Sequence, residues 1–193
     1  DQPHRLGEDL PVSLIDLKKL RARESDVLVA LQGAVADVPG VLPAARGLSH
    51  FGEHALGWMG LSAAGAALDG LRRRAWVRVG VSAFLAHAAS VVLKRVVRRP
   101  RPDDPRISVG VGTPSKLSFP SSHATSTTAA LVSVAELTGN RLPLLGVPVM
   151  MVSRMVLGVH FLVDTAVGAA IGAATAKAVS AVDAQADRKA RTR

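Results

Sequence analysis

Two histidines have neighbours suited to phosphoryl transfer through an imidazole. Asp164 follows His160 by four residues, and His123 ends the segment Pro120-Ser121-Ser122-His123. Residues four apart share one helix face, so the carboxylate can hold one ring nitrogen of His160 while the other is free to attack phosphorus. A second imidazole from another segment can then act as the proton donor. The pattern predicts a covalent phosphohistidine mechanism, with His160 and Asp164 on one helix face.

Cations accompany these histidines along the sequence. Lys94 and Arg101 lie in one basic run, and Arg154 precedes His160 by six residues. The arginine guanidinium presents a planar fork of donors to phosphate oxygens. A helix that starts within residues 120–123 adds free backbone N–H groups and the positive end of its dipole. Together these groups predict a binding site for a phosphate-bearing, anionic substrate.

Five apolar stretches must position these residues. Each has about 16–22 residues, close to the ~20 that a membrane-spanning helix needs. They are Phe51–Leu68, Ala75–Leu93, Ser122–Leu137, Leu142–Val159 and Phe161–Val182. A chain of 193 residues cannot surround five such helices with a polar shell, so we predict an all-α integral membrane bundle of about five transmembrane helices. Because successive spans alternate in direction, the polar patches are expected at one membrane face.

The segments on either side of this bundle are polar. Residues 1–50 are predicted to be a polar N-terminal segment, in which residues 12–36 form one or two amphipathic helices on the membrane surface or against the bundle. Residues 1–25 contain no basic run followed by an apolar run, so no signal peptide is predicted. Residues 51–182 are the expected catalytic domain, and residues 183–193 a basic tail near anionic headgroups.

Composition separates the functional classes. Hydrophobic residues make up 48% of the chain, aromatic residues 3%, and the formal net charge is +9. A nucleic-acid-binding protein would be less apolar and would carry aromatic side chains for stacking. The chain has no cysteine, which excludes disulfides and cysteine-based metal sites. Gly168 and Gly172 form a GxxxG pattern suited to closely packed membrane helices. The remaining non-enzymatic alternative is a membrane protein that binds anionic lipid through basic loops.

The polar residues form three motifs that resemble the signature of the type 2 phosphatidic acid phosphatase (PAP2) superfamily. They are Lys94-x6-Arg101-Pro102, Pro120-Ser121-Ser122-His123 and Ser153-Arg154-x5-His160-x3-Asp164. The family pattern is KxxxxxxRP, PSGH and SRxxxxxHxxxD, so the spacing agrees in the first and third motifs and the order in all three. The resemblance covers about residues 51–182. Ser122 stands where the family usually has glycine, and its hydroxyl offers one more contact to a phosphate.

The resemblance implies a role for each motif residue. His160 is expected to be the nucleophile, Asp164 to orient it, and His123 to protonate the leaving oxygen and then activate water. The residues expected to hold the phosphate oxygens are Lys94, Arg101, Ser121, Ser122 and Arg154. The resemblance implies no metal and no other cofactor. Vanadate-dependent haloperoxidases share this kind of anion pocket, but five membrane spans argue against peroxidase chemistry.

The expected substrate is a lipid phosphate that enters sideways from the bilayer of a bacterial plasma membrane. Within the superfamily, the short chain, its basic N-terminal extension and the Ser122 variant resemble actinobacterial members that remove the 5-phosphate from a decaprenyl-linked phosphoribose in cell-wall arabinan synthesis. The alternative substrates are undecaprenyl pyrophosphate, phosphatidylglycerol phosphate and phosphatidic acid. A small excess of basic residues on the site face favours a cytoplasmic active site.

The other basic residues and histidines lie outside the motifs. Four arginines are predicted to be loop charges that face lipid headgroups: Arg95, Arg98, Arg99 and Arg106. Four histidines have no partner in a motif and are expected to be structural: His4, His50, His54 and His87. Among them, His54, beside Glu53 at a helix start, is the first candidate for an additional functional role.

Overall fold

The computed structural model describes the backbone of residues 12–192 and the side chains of residues 19–192. The predictions for His4 and for a signal peptide within the first eleven residues therefore lie outside the described residues. The helices are α1 Val12–Val35, α2 Val41–Gly52, α3 Leu56–Leu68, α4 Arg73–Val97, α5 Ser122–Thr138, α6 Gly146–Val156 and α7 Leu162–Arg191. No β-strand occurs within this range, which confirms the predicted all-α class.

The centre of the bundle is formed by α4, α5 and α7, which pack closely because their facing residues are small. Ala86, Ala129 and Ala176 from these three helices are fully buried together. A Cβ atom added to Gly172 would lie 2.2 Å from the Thr125 carbonyl oxygen. Only glycine allows the backbones of α5 and α7 to approach this closely, as the GxxxG pattern predicts.

The lengths of the helices differ from the five similar spans predicted. The segments Gly70–Val97 and Leu162–Arg191 are long and apolar enough to cross a membrane, whereas α3 has 13 residues and α6 has 11. The stretch predicted as Phe51–Leu68 is broken after α2, because His54 and Ala55 adopt left-handed backbone conformations with φ of 51° and 61°. The 3-10 turn Glu53–Ala55 thus redirects the chain between α2 and α3.

The stretch predicted as Leu142–Val159 is also divided. It begins as the 3-10 turn Leu142–Leu145 and continues as α6, which ends at Val156. Gly158 follows with φ of 67°, a left-handed conformation that glycine adopts without the steric cost of a Cβ atom. The turn at Gly158 separates α6 from α7 and leaves the intervening residues outside either helix.

The N-terminal helix α1 lies against the bundle. The side-chain amide of Gln32 donates to the carbonyl oxygens of Ser108 at 2.7 Å and Val156 at 2.9 Å, and its oxygen accepts the Ser108 N–H at 3.0 Å. Leu28 is buried with Ile107 and Phe161. For residues 12–36, the prediction left open one helix or two, on the membrane surface or against the bundle. The structure has one helix, α1, which lies against the bundle and contacts the C-terminal end of α6.

At the opposite end, α7 continues as a helix through the residues predicted to form a basic tail. Its Asp183 pairs with Arg74 at 2.6 Å and with Arg78 at 3.2 Å, both on α4. Asp187 also pairs with Arg74. These ion pairs join the first turns of α4 to the last turns of α7. They lie at the opposite end of both helices from the motif residues.

Candidate active site

Four chain segments bring the motif residues together at one end of the bundle. Lys94 is in the last turn of α4, His123 in the first turn of α5, Arg154 in the last turn of α6, and His160 just before α7. The alternating helix directions therefore place all three motifs together, as predicted. The residues that line their common cavity of about 570 Å³ include Lys94, Arg101, Ser122, His123, Arg154 and His160.

His160 is buried in the short link between α6 and α7. Arg101 Nη1 lies 3.2 Å from His160 Nε2. Because a guanidinium can only donate, Nε2 accepts this hydrogen bond and carries a lone pair, which leaves the ring proton on Nδ1. The tautomer therefore presents Nε2 as the nitrogen able to attack.

The prediction that His160 and Asp164 share one helix face is wrong, because α7 begins at Leu162. Asp164 is the third helical residue, and its Oδ2 accepts the backbone N–H of Phe161 at 2.9 Å. This capping role explains why the helix starts after the histidine rather than before it. His160 Nδ1 nevertheless lies 3.7 Å from Asp164 Oδ2, and it has no closer polar partner among residues 19–192. The carboxylate thus stands behind the ring, on the side away from Nε2.

The electrostatic surroundings favour a neutral His160. Burial, and then the positive charges of Arg101 and Arg154, hold the pKa of His160 well below its usual range. Burial also lowers the pKa of Arg101 to about 10, so its guanidinium remains charged at neutral pH. The site therefore combines an uncharged imidazole, which keeps its lone pair, with a fixed cation beside it.

Arg99 belongs to the site, contrary to the prediction that it faces lipid headgroups. Its Nη1 donates to Asp164 Oδ1 at 2.8 Å, and its Nη2 pairs with Glu24 on α1. The guanidinium carbon lies 4.5 Å from the centre of the Phe161 ring. The sequence carried no sign of this role, since Glu24, Arg99 and Asp164 come from three distant segments. Arg99 is the residue that fixes the carboxylate behind His160.

Ser49 is a second site residue that the sequence did not indicate, because it precedes the motif region. The buried Arg154 donates from Nη1 to Ser49 Oγ at 2.7 Å. His123 Nε2 lies 2.9 Å from the Ser49 carbonyl oxygen, which can only accept, so Nε2 carries a proton. Arg154 Nε has no hydrogen-bond partner in the part of the chain whose side chains are described. One residue of α2 thus orients both a cation and the second histidine.

The ammonium of Lys94 shapes the loop before α5. Its Nζ lies 2.7 Å from the Pro120 carbonyl oxygen, 3.2 Å from that of Ser118 and 3.4 Å from that of Leu117. An ammonium has three protons, so these carbonyls occupy its donors. Lys94 therefore adds positive charge to the cavity while it holds the loop that leads to Pro120.

The two serines of the second motif take different positions. Ser121 is the N-cap of α5 and is fully buried, and its Oγ accepts the Ala124 N–H at 3.5 Å. Ser122 lines the cavity, where its hydroxyl lies 2.8 Å from that of Ser90. The structure thus brings Ser122 to the cavity, while the Ser121 side chain is directed into its own helix.

In a comparison with known families, a model of the PAP2 superfamily matches residues 75–188, a range that contains all three motifs. The chain belongs to the PAP2 superfamily. It is 61% identical over 145 residues to the decaprenylphosphoryl-5-phosphoribose phosphatase of Mycolicibacterium smegmatis, a match that covers 75% of this chain and 81% of that protein. It is 54% identical over 159 residues to the Mycobacterium tuberculosis phosphatase of the same name, covering 82% of this chain and 90% of that protein.

Two solved structures share the fold. The transmembrane PAP2-type phosphatidylglycerolphosphate phosphatase from Bacillus subtilis superposes with a TM-score of 0.62 at 23% identity, over 91% of this chain and 96% of that one. LpxE from Aquifex aeolicus gives 0.61 at 16% identity, over 80% of this chain and 92% of that one. The predictions of the superfamily, of an integral membrane protein and of a lipid phosphate phosphatase are confirmed.

Proposed function

We propose that this PAP2 phosphatase removes the 5-phosphate from decaprenylphosphoryl-5-phosphoribose through a phosphohistidine formed on His160. The identity of 61% and 54% to two phosphatases named for that substrate supports the choice of lipid. The observation that carries the chemistry is the contact of 3.2 Å between Arg101 Nη1 and His160 Nε2. It fixes the attacking nitrogen and places a cation where charge develops on the phosphoryl oxygens.

The first step transfers the phosphoryl group to the enzyme. His160 Nε2 attacks phosphorus and forms a P–N bond, while the bond between phosphorus and the ribose 5-oxygen breaks. His123 in its protonated form gives a proton to that oxygen, which leaves as the alcohol. Asp164, behind Nδ1, stabilises the positive charge that the His160 ring gains.

The second step releases phosphate. His123, now neutral, accepts a proton from a water molecule that attacks the phosphorus, and the P–N bond breaks. Arg101, Arg154 and the free N–H groups at the start of α5 hold the phosphoryl oxygens throughout. Inorganic phosphate leaves, and both histidines return to their starting protonation states.

The test is phosphate release by the detergent-purified protein from four lipids presented at equal concentration. These are decaprenylphosphoryl-5-phosphoribose, undecaprenyl pyrophosphate, phosphatidylglycerol phosphate and phosphatidic acid. We expect the first to have the highest kcat/KM, and preferential turnover of a diacyl lipid phosphate would contradict the proposed substrate. His160→Ala should abolish both turnover and the acid-labile label that radioactive substrate leaves on the protein. Turnover that survives this change would contradict the phosphohistidine.

We also propose that the protein lies in the bacterial plasma membrane with its active site at the cytoplasmic face. The support is the small excess of basic residues in the segments expected at the site end. The position of α1 agrees with that grouping, because Glu24 and Gln32 both contact residues at the site end.

A further inference from the structure

The cavity is lined by residues outside the three motifs as well as by the motif residues. Its volume of about 570 Å³ is several times that of a phosphate group. At the junction of α2 and α3 and on α4, its wall also includes Glu53, His54 and His87. We propose that these three side chains form a subsite for a hydroxylated ring attached to the phosphate, that is, for the pentose of the substrate. This inference rests on the proposed function.

A carboxylate in this wall is unsuited to the phosphate itself. Glu53 is exposed within the cavity and has no ion-pair partner among the described residues. An anion beside bound phosphate would weaken phosphate binding by charge repulsion, whereas an ionised carboxylate is a strong acceptor for hydroxyl groups. The residue therefore matches a neutral part of the substrate that donates hydrogen bonds.

The backbone of residues 53–55 adopts a strained conformation where it reaches the cavity wall. His54 and the following Ala55 both have left-handed φ values, 51° and 61°. This conformation is uncommon for residues other than glycine, and it strains the backbone. The break ends α2 and places Glu53 and His54 in the cavity wall instead of leaving them on a continuous helix. Strain of this kind is characteristic of binding sites, where the surrounding structure holds it in place.

His87 supplies the opposite side of the subsite. Its ring meets that of His54 edge to face, with 5.8 Å between centroids. Its Nδ1 is shielded from solvent and has no hydrogen-bond partner in the described part of the chain. Two imidazoles and a carboxylate can each donate to or accept from ring hydroxyls. His87 lies seven residues before Lys94 on α4, so the subsite is about two helical turns deeper in the bundle than the loop held by Lys94.

The position of these groups distinguishes two kinds of lipid phosphate. In phosphatidic acid, the glycerol bears its acyl chains within a few bonds of the phosphorus, and an apolar wall would be expected there. In a prenyl-linked 5-phosphoribose, a hydroxylated ring separates the phosphate that is cleaved from the lipid. Polar side chains next to the phosphate region match the second arrangement.

The experiment compares kcat/KM for decaprenylphosphoryl-5-phosphoribose and for its 2,3-dideoxyribose analogue. A site built to bond hydroxyl groups rejects a substrate that lacks them, so we expect the wild-type protein to favour the ribose form by at least about tenfold. Glu53→Gln and His54→Asn should each lower kcat/KM for the ribose form about tenfold and reduce that preference. Asparagine is chosen because it tolerates the left-handed conformation. Asp37→Asn is the matched control, because it also removes one negative charge but lies at an exposed position outside the cavity. This variant should keep the wild-type preference for the ribose form.

Two results would overturn the subsite while leaving the proposed function intact. One is equal kcat/KM of the wild-type protein for the two sugars, and the other is an equal loss on both sugars in Glu53→Gln. If the wild-type protein hydrolyses phosphatidic acid but neither prenyl phosphoribose, the proposed function itself fails. A measurement without variants gives an independent test: D-ribose 5-phosphate should inhibit with a Ki at least about tenfold lower than n-pentyl phosphate. Equal inhibition constants would contradict the subsite.

Discussion

Arg99 Nη1 donates a hydrogen bond to Asp164 Oδ1 across 2.8 Å. The same guanidinium pairs with Glu24, so the N-terminal helix is joined to the carboxylate that stands behind His160. Asp164 is fully buried, and a buried carboxylate needs a fixed counter-charge to remain ionised. In the proposed mechanism, Arg99 therefore acts through Asp164, as a positioning residue.

We expect Arg99→Lys to lower kcat about tenfold or more, with little change in KM. Lysine keeps the positive charge but cannot bond Asp164 and Glu24 through one planar fork. The carboxylate is then free to turn, and the charge on the His160 ring is stabilised less in the transition state. The measurement is steady-state kinetics on the proposed substrate, together with the rate of phosphoenzyme formation in a single turnover.

Arg98→Lys is the matched control for this change. Arg98 is the exposed neighbour of Arg99. Within residues 19–192, it forms no ion pair. Its kcat should equal that of the wild-type protein. A similar loss in both variants, or a change in KM alone for Arg99→Lys, would contradict the positioning role.

Ser49→Ala should destabilise the free protein but increase its stabilisation by vanadate, a phosphate mimic. The change removes the acceptor of Arg154 Nη1, and an unsatisfied buried donor costs about 1–3 kcal/mol. Oxygens of a bound anion would satisfy that donor and the unpartnered Nε. We therefore expect a lower midpoint of thermal unfolding in detergent and a larger increase on adding vanadate than the wild-type protein shows.

Ser62→Ala provides the comparison for the serine change. Ser62 is also buried, and its hydroxyl donates to the Trp76 carbonyl oxygen outside the cavity. Its loss should lower the unfolding midpoint without altering the increase produced by vanadate. If vanadate stabilises Ser49→Ala and the wild-type protein equally, Arg154 does not bind the anion.

The sequence could predict the all-α class and the meeting of the three motifs, because hydrophobic length and alternating direction determine which helix ends coincide. It could not predict the break at His54, since a left-handed conformation of a non-glycine residue depends on tertiary contacts. It also failed for the helix register at His160, because the carboxylate of Asp164 accepts the N–H of Phe161, the residue that caps α7, and thereby places the histidine outside the helix.

The sequence did not indicate the supporting residues Arg99 and Ser49, for a different reason. Arg99 lies in a run of arginines whose members look equivalent in the sequence. It is distinguished by its contacts with Glu24, 75 positions away, and with Asp164, 65 positions away. Ser49 acts partly through its backbone carbonyl, which any residue type provides. A single sequence indicates an orienting group that lies within a motif, as Asp164 does, but not the groups that act from distant segments.

Cysteine labelling should place the active site at the cytoplasmic face. The chain has no native cysteine, so Lys116→Cys in the exposed loop at the site end and Thr192→Cys after α7 each give one thiol. In intact cells, a membrane-impermeant maleimide should label the cysteine at 192 and spare that at 116. Permeabilised cells, in which both should react, provide the control for accessibility. The reverse labelling pattern would place the active site on the outer face.

Gly52→Ala should lower kcat about tenfold to a hundredfold by displacing His123. Gly52 is the last residue of α2, and an added Cβ atom would lie 2.7 Å from His123 Cδ2, closer than van der Waals contact allows. A shift of the ring would alter the contact of 2.9 Å between its Nε2 and the Ser49 carbonyl oxygen. A shift of about 1 Å in a catalytic group can cost about a hundredfold in rate. Gly47→Ala in the same helix meets nothing within 4 Å and should leave kcat unchanged while slightly stabilising the helix. Wild-type kcat in Gly52→Ala would show that the position of His123 does not limit the reaction.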